Sequence, residues 1–201
     1  MQRHFLAIAL LLTLGTPAFA APITALSATG TGTFNHLADL LIDGVTPPKT
    51  THFQDPMNVW WEGTVPAFTI DLGGQYLLED ITTSLDNNDI YALRYSTDNI
   101  TFTPLFTVLQ AHGTVVPIPG GTDTFSTILG DPDYVAALDF APVVARYLQL
   151  QGTGGNPNDN RFAAGEVSAF GTAVPEPASV LLLGLGLVAN KARRRLKTAL
   201  A

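Results

Sequence analysis

The chain has 201 residues, no cysteine and a formal net charge of −7 at pH 7. The lack of cysteine excludes thiolate nucleophiles, iron–sulfur clusters and cysteine-bound zinc, so stability rests on the hydrophobic core. Between its two ends, residues 21–174 hold only four basic side chains, Lys49, Arg94, Arg146 and Arg161, against sixteen acids, a formal charge of −12. That balance argues against nucleic acid and anionic headgroups as partners, since both need a basic surface.

In chain order, Arg3 and His4 precede an apolar stretch over 5–14 that is too short to span a membrane. Ala18, Phe19 and Ala20 then set small residues at the two positions a signal peptidase reads, so 1–20 is expected to be a signal peptide cleaved after Ala20. One or two helical turns are expected over 35–42, followed by a long connection over 43–59. Phe68, Ile70 and Leu72 alternate with Thr69 and Asp71, which predicts a strand. Gly73 and Gly74 then predict a turn before a second strand over 76–84. Strands over 91–96 and 100–108 flank Thr97, Asp98 and Asn99, a polar connection suited to a hairpin. Shorter strands are expected over 115–118, 123–128, 145–151 and 166–170, with long connections over 117–123 and 152–161. No amphipathic helix of a dozen residues is apparent, and short strands separated by Gly, Pro, Asn and Asp predict a single all-β sandwich domain over 21–171.

Residues 172–201 have a different character. Val174, Pro175, Glu176 and Pro177 stand before an apolar run over 178–189, closed by a basic tail over 191–197 that contains Lys191, Arg193, Arg194, Arg195 and Lys197. As a helix the apolar run rises only about 18 Å, against a hydrocarbon core of roughly 30 Å, so it reads as a processing signal rather than a permanent span. The basic tail is expected to stay cytoplasmic and hold the rest of the chain on the other face. This order resembles the PEP-CTERM sorting signal. The resemblance implies export in a Gram-negative bacterium, transient inner-membrane insertion, processing by an exosortase and release or anchoring at the surface or in the extracellular matrix. A short tail anchor is the alternative.

A second resemblance covers most of 23–171. Leu41, Ile42, Asp43 and Gly44, then Trp61, then Phe68 to Gly73 with Tyr76, then Tyr91 and Leu93 to Asn99, follow the order of the discoidin-like family. Ala145 to Leu150 and Glu166 to Gly171 complete it. That family includes the coagulation factor V and VIII type C domains and bacterial carbohydrate-binding modules. The resemblance implies a jelly-roll β-sandwich with ligand-binding loops at one end. It also implies a structural calcium ion held by Asp43 and Glu166, to which Thr51 could add a hydroxyl; the alternative is that Asp43 only shapes its turn and Glu166 is a solvated strand residue. The segment between Gly44 and Trp61 is longer than usual for the family, and the paired cysteines of many animal members are missing.

Trp60 and Trp61 adjoin, so one ring enters the core and the other faces outward. Trp61 is expected inside, which leaves Trp60 either to stack on a sugar or to take a structural role of its own. Asn158, Asp159, Asn160, Arg161 and Phe162 offer amides, a carboxylate, a guanidinium and an aromatic face for sugar hydroxyls and rings. A turn-rich loop has the same composition. Arg146 is expected in a structural ion pair. The chain has no His-Glu-x-x-His array and no Gly-x-Ser-x-Gly elbow, and Asp86 with Asp89 reads as a turn pair, so no catalysis is expected. The expectation is therefore a non-catalytic exported protein that binds extracellular polysaccharide, or a structural matrix protein without a sugar site.

Overall fold

Apolar side chains at every second position need a partner layer, and ten strands among the described residues supply it. The computed structural model describes residues 20–114, 121–155 and 160–175. The strands are β1 (Ala21–Ile23), β2 (Ser27–Gly30), β3 (Phe34–Asn35), β4 (Val59–Glu62), β5 (Ala67–Asp86), β6 (Asp89–Ser96), β7 (Thr103–Val108), β8 (Thr122–Ser126), β9 (Val143–Gly155) and β10 (Arg161–Ala173). The expected helical segment is a single 3₁₀ turn, Ala38–Leu41. Among the described residues no helix is long and apolar enough to cross a membrane. The strand expected over 115–118 lies outside the described residues.

The spatial order is β3-β4-β10-β5-β9-β6-β7, with β1 added to β10, and β2 and β8 added to β5. The 20-residue β5 serves both layers. Its first part pairs with β2 and β9 (Ile70 with Ala28 and Leu148), and its last part with β8 and β10 (Thr83 with Phe125 and Val167). The turn expected at Gly73 and Gly74 is instead a bulge inside this one strand, marked by a register shift between Asp71 and Tyr76. Gly73 has φ +80°, a conformation an L side chain strains to adopt. The partner strands span the bulge, so the chain bends between layers rather than reversing.

The core lies between the layers. Trp61, Phe68, Ile70, Tyr91, Leu148 and Leu150 are no more than 1% exposed. Trp61 stacks on Phe162 at 5.8 Å and meets Phe68 at 4.8 Å, while Tyr91 sits edge-on to Trp61 at 6.2 Å. The Tyr91 hydroxyl donates to Ala163 O at 3.1 Å and accepts from Ala163 N at 3.0 Å, so the one polar atom of that ring is satisfied. Arg146 is held by Asp71 at 3.2 Å, the expected ion pair.

Strand directions give the molecule two unlike poles. Both ends of the domain meet at one: Ala21 pairs with Gly171, and β10 ends at Ala173 opposite Tyr76. At the other pole lie the β5–β6 turn, the start of β10 at Arg161 and its partner Glu62.

Candidate functional site

Alternation on β4 decides the fates of the adjacent tryptophans. Trp61 points inward and is fully buried, whereas Trp60 points outward and is half-buried. The short β3 strand completes the outer surface by pairing Phe34 with Trp61 and Asn35 with Trp60. A pocket of about 360 Å³ opens there, lined by Thr33, Asn35, Trp60 and Glu62. The Trp60 ring stands edge-on to Phe53 at 5.6 Å. Arg161 lies over that Phe53 at 5.7 Å, and its Nε is 3.2 Å from Glu62 Oε1. One pole thus gathers an aromatic ring, an amide, a hydroxyl, a carboxylate and a guanidinium, the set that addresses sugar faces and hydroxyls.

Sequence reasoning found Trp60 and Arg161 but missed Thr33, Asn35, Phe53 and Glu62. Asn35 and Glu62 come together only through strand pairing, and no local pattern announces that. Asn160 is exposed, in the left-handed region at φ 50°, and its carbonyl accepts from Gly63 N at 2.9 Å. Asn158 and Asp159 lie outside the described residues. Phe162 does not offer a face to ligand: it is 1% exposed and sandwiched in the aromatic core. The reason is again alternation, which turns Arg161 out and Phe162 in.

A second pocket, of about 350 Å³, brings Asp43, Gly44 and Glu166 together with Ile23, Thr24 and Ser168. Glu166 is 4% exposed; Gly44 N donates to its Oε2 at 3.2 Å and Ser168 Oγ to its Oε1 at 2.9 Å. Burial pushes the Glu166 carboxyl above its ordinary range, and the neighbouring Asp43 carboxylate pushes in the same direction. Two carboxylates facing one pocket suit a hard divalent cation, which relieves their repulsion. Thr51 does not fit that set. Its hydroxyl donates to Pro48 O at 2.6 Å, its carbonyl accepts from Thr122 N, and it does not line this pocket.

Asp86 and Asp89 do form a tight turn, but a buried one: Asp86, Asn87, Asn88 and Asp89 are at most 5% exposed. With its amide turned so that the nitrogen faces the two carboxylates, the Asn88 side chain donates to Asp86 Oδ1 and Asp89 Oδ2, each at 3.0 Å. Asn87 N donates to Gly121 O at 2.9 Å, and the Gln110 amide donates to Asn88 O. Nearby, Lys49 bridges Asp123 at 3.1 Å and Asp133 at 2.6 Å. These contacts tie three connections together at the loop pole. The three histidines of the domain are each engaged with backbone: His36 Nδ1 with Asn58 O, His52 Nδ1 with Gln54 N, and His112 Nδ1 with Leu109 N. Among the described residues, no three His, Asp or Glu side chains form a metal cluster.

The fold is shared with solved carbohydrate-binding domains. The CBM32 domain of AlyQ in complex with 4,5-unsaturated mannuronic acid is similar with a TM-score of 0.52 at 14% identity, over 75% of this chain and 98% of that one. Truncated AlyQ with CBM32 and alginate lyase domains gives a TM-score of 0.52 at 16% identity, over 79% of this chain but only 35% of that longer one. No curated protein sequence matches the chain. Architecture and neighbours together give residues 21–173 the fold of those domains, a discoidin-like β-sandwich.

Residues 173–195 match the PEP-CTERM protein-sorting motif. The chain is therefore an exported, cell-surface protein that carries this motif directly behind a discoidin-like domain. Val174 and Pro175 fall among the described residues, whereas Glu176, Pro177, the apolar segment and the basic tail lie outside them. So does the expected signal peptide, up to Phe19.

Proposed function

We propose that the domain is a non-catalytic binding module for neutral extracellular polysaccharide, delivered to the surface by a PEP-CTERM route in which an exosortase removes the C-terminal segment. The observation that carries the sugar reading is the half-buried, outward-facing Trp60 beside Asn35, Thr33 and Glu62. It lies at the loop pole of a fold that AlyQ uses as a carbohydrate-binding module.

The neutral ligand follows from charge. The AlyQ domain is in complex with 4,5-unsaturated mannuronic acid, a sugar acid, but here each of the four cations in residues 21–174 is already engaged. Lys49 is held by two aspartates, Arg94 by Gln149 and Gln151, Arg146 by Asp71 and Arg161 by Glu62. With a formal charge of −12 over residues 21–174, a polyuronate is repelled, and the Arg161 charge beside the pocket is already balanced by Glu62.

Affinity electrophoresis through immobilised polysaccharides tests this. Saturable retention by a neutral glycan is expected, weakened about tenfold or more by Trp60→Ala, equivalent to ~1.4 kcal/mol. Absence of saturable binding to any neutral glycan sinks the sugar reading and leaves a structural surface or matrix protein.

A structural calcium ion shared by Asp43 and Glu166 belongs to the same proposal. The support is their convergence on one pocket and the burial of Glu166. When bound, the ion would fasten the early Asp-Gly turn to the last strand.

The route makes its own prediction. Deletion of 191–197, or Glu176→Ala, should leave precursor in the inner membrane, because positive charge sets the topology and the processing enzyme reads the segment outside it. Intact mass of the native protein should begin at Ala21 after signal-peptidase cleavage and lack Ala201. Native material that retains Ala201 in most molecules replaces processing with a tail anchor.

A further inference from the structure

The sorting motif begins on the fold itself. Its first matched residue, Ala173, is the last residue of β10 and pairs with Tyr76. Val174 N then donates to Gln75 O at 2.8 Å, and Pro175, with no N–H, ends the pairing. From Val174 to the apolar run at Ala178 is four residues, which span at most about 14 Å. The N-terminal flank leaves from the same corner, since Ala21 pairs with Gly171. Leu26 stands at this corner too: its N–H is bonded to Asp71 O, it lies beside Gly73, and it is 69% exposed.

The opposite pole is far away. β10 runs thirteen residues from Arg161 to Ala173, roughly 40 Å at ~3.3 Å per residue. Glu62, paired with Arg161, marks that far end, and the exposed Val65 follows it before β5 starts, six residues ahead of Asp71 and so about 20 Å from Leu26 along the strand.

From this we infer that, while the sorting segment is attached, the junction seats the pole of Leu26, Gln75 and Val174 against the phospholipid surface. The Trp60 pole then points outward. The acidic domain has no electrostatic reason to lie on an anionic bilayer, so the short junction sets the orientation. This inference rests on the sorting motif and the strand register, and stands whether or not the far pole binds sugar.

The chain has no cysteine, so single labels report cleanly. Leu26→Cys and Val65→Cys, each in the full chain, would carry the same fluorophore in vesicles of phosphatidylethanolamine and phosphatidylglycerol with nitroxide-labelled headgroups. Quenching is expected to be several-fold greater at Leu26→Cys than at Val65→Cys. Gly/Ser spacers of about twenty residues before Ala21 and after Val174 should bring the two signals together. Equal quenching without the spacers, or stronger quenching at Val65→Cys, overturns the orientation. A bias that survives both spacers overturns the role of the junction.

Discussion

Trp61→Ala is expected to destabilise the domain by about 3–5 kcal/mol, a large share of the roughly 5–15 kcal/mol that holds a domain folded. The ring is fully buried against Phe68, Tyr91 and Phe162, so truncation loses its transfer free energy and leaves a cavity among three other rings. A tryptophan buries about 150–250 Å², worth ~4–6 kcal/mol at ~25 cal/mol/Å², which agrees in size. At roughly 2–4 °C per kcal/mol, the melting temperature should fall by about 6–20 °C. Trp61→Phe should cost less, because it also removes a buried indole N–H that has no hydrogen-bond partner. Trp60→Ala, at the half-buried neighbour, should cost less stability than Trp61→Ala and act mainly on binding. A Trp61→Ala domain that melts with the parent contradicts the core.

Calcium should raise the melting temperature, and chelation should lower it. If Asp43 and Glu166 share the ion, the unfolded chain does not, and free calcium at about 100 times its dissociation constant stabilises by roughly 2.7 kcal/mol. That corresponds to about 5–10 °C. Asp43→Ala should abolish the response. The pH dependence has a definite sign. Burial, with Asp43 adding to it, raises the folded-state Glu166 carboxyl above its unfolded range, so the folded state holds more protons in that window. In chelator, stability should therefore fall as pH rises from the ordinary carboxylate range through the raised folded value. Calcium binds the ionised form, so its stabilising effect should grow across the same window. Glu166→Gln should flatten both trends. Identical melting in chelator and in millimolar calcium would remove the ion, leaving Asp43 as a turn residue that accepts from Val45 N at 2.9 Å.

The all-β class was legible because alternation is local. Phe68, Ile70 and Leu72 declare a buried face without knowledge of a partner, and Tyr91 and Leu93 do the same on β6. The hairpin connection at Asp98 and Asn99 was legible for the same reason: Asp98 Oδ1 accepts from Ile100 N and Thr101 N at 2.9 Å, and Asn99 takes φ 61°. The sorting segment needed only the order of Pro-Glu-Pro, apolar run and basic tail, and the family resemblance was enough to bring Asp43 to Glu166.

The candidate sugar site was only partly legible. Two to four residues hold too few alternations to signal a strand, so β1, β2, β3 and β4 owe their form to hydrogen bonds with distant segments. That is why Asn35 and Glu62 beside Trp60 went unread. Continuous pairing with β9 and β10 likewise made one bent strand of the Gly73–Gly74 region, and a neighbouring core decided that Phe162 turns inward while Arg161 stays out. Burial of Asp86 and Asp89 depended on segments packed from elsewhere, as with Gln110 over Asn88. Side-chain period is written in the chain itself, whereas the partner a strand edge meets depends on long-range pairing, which only the folded molecule decides.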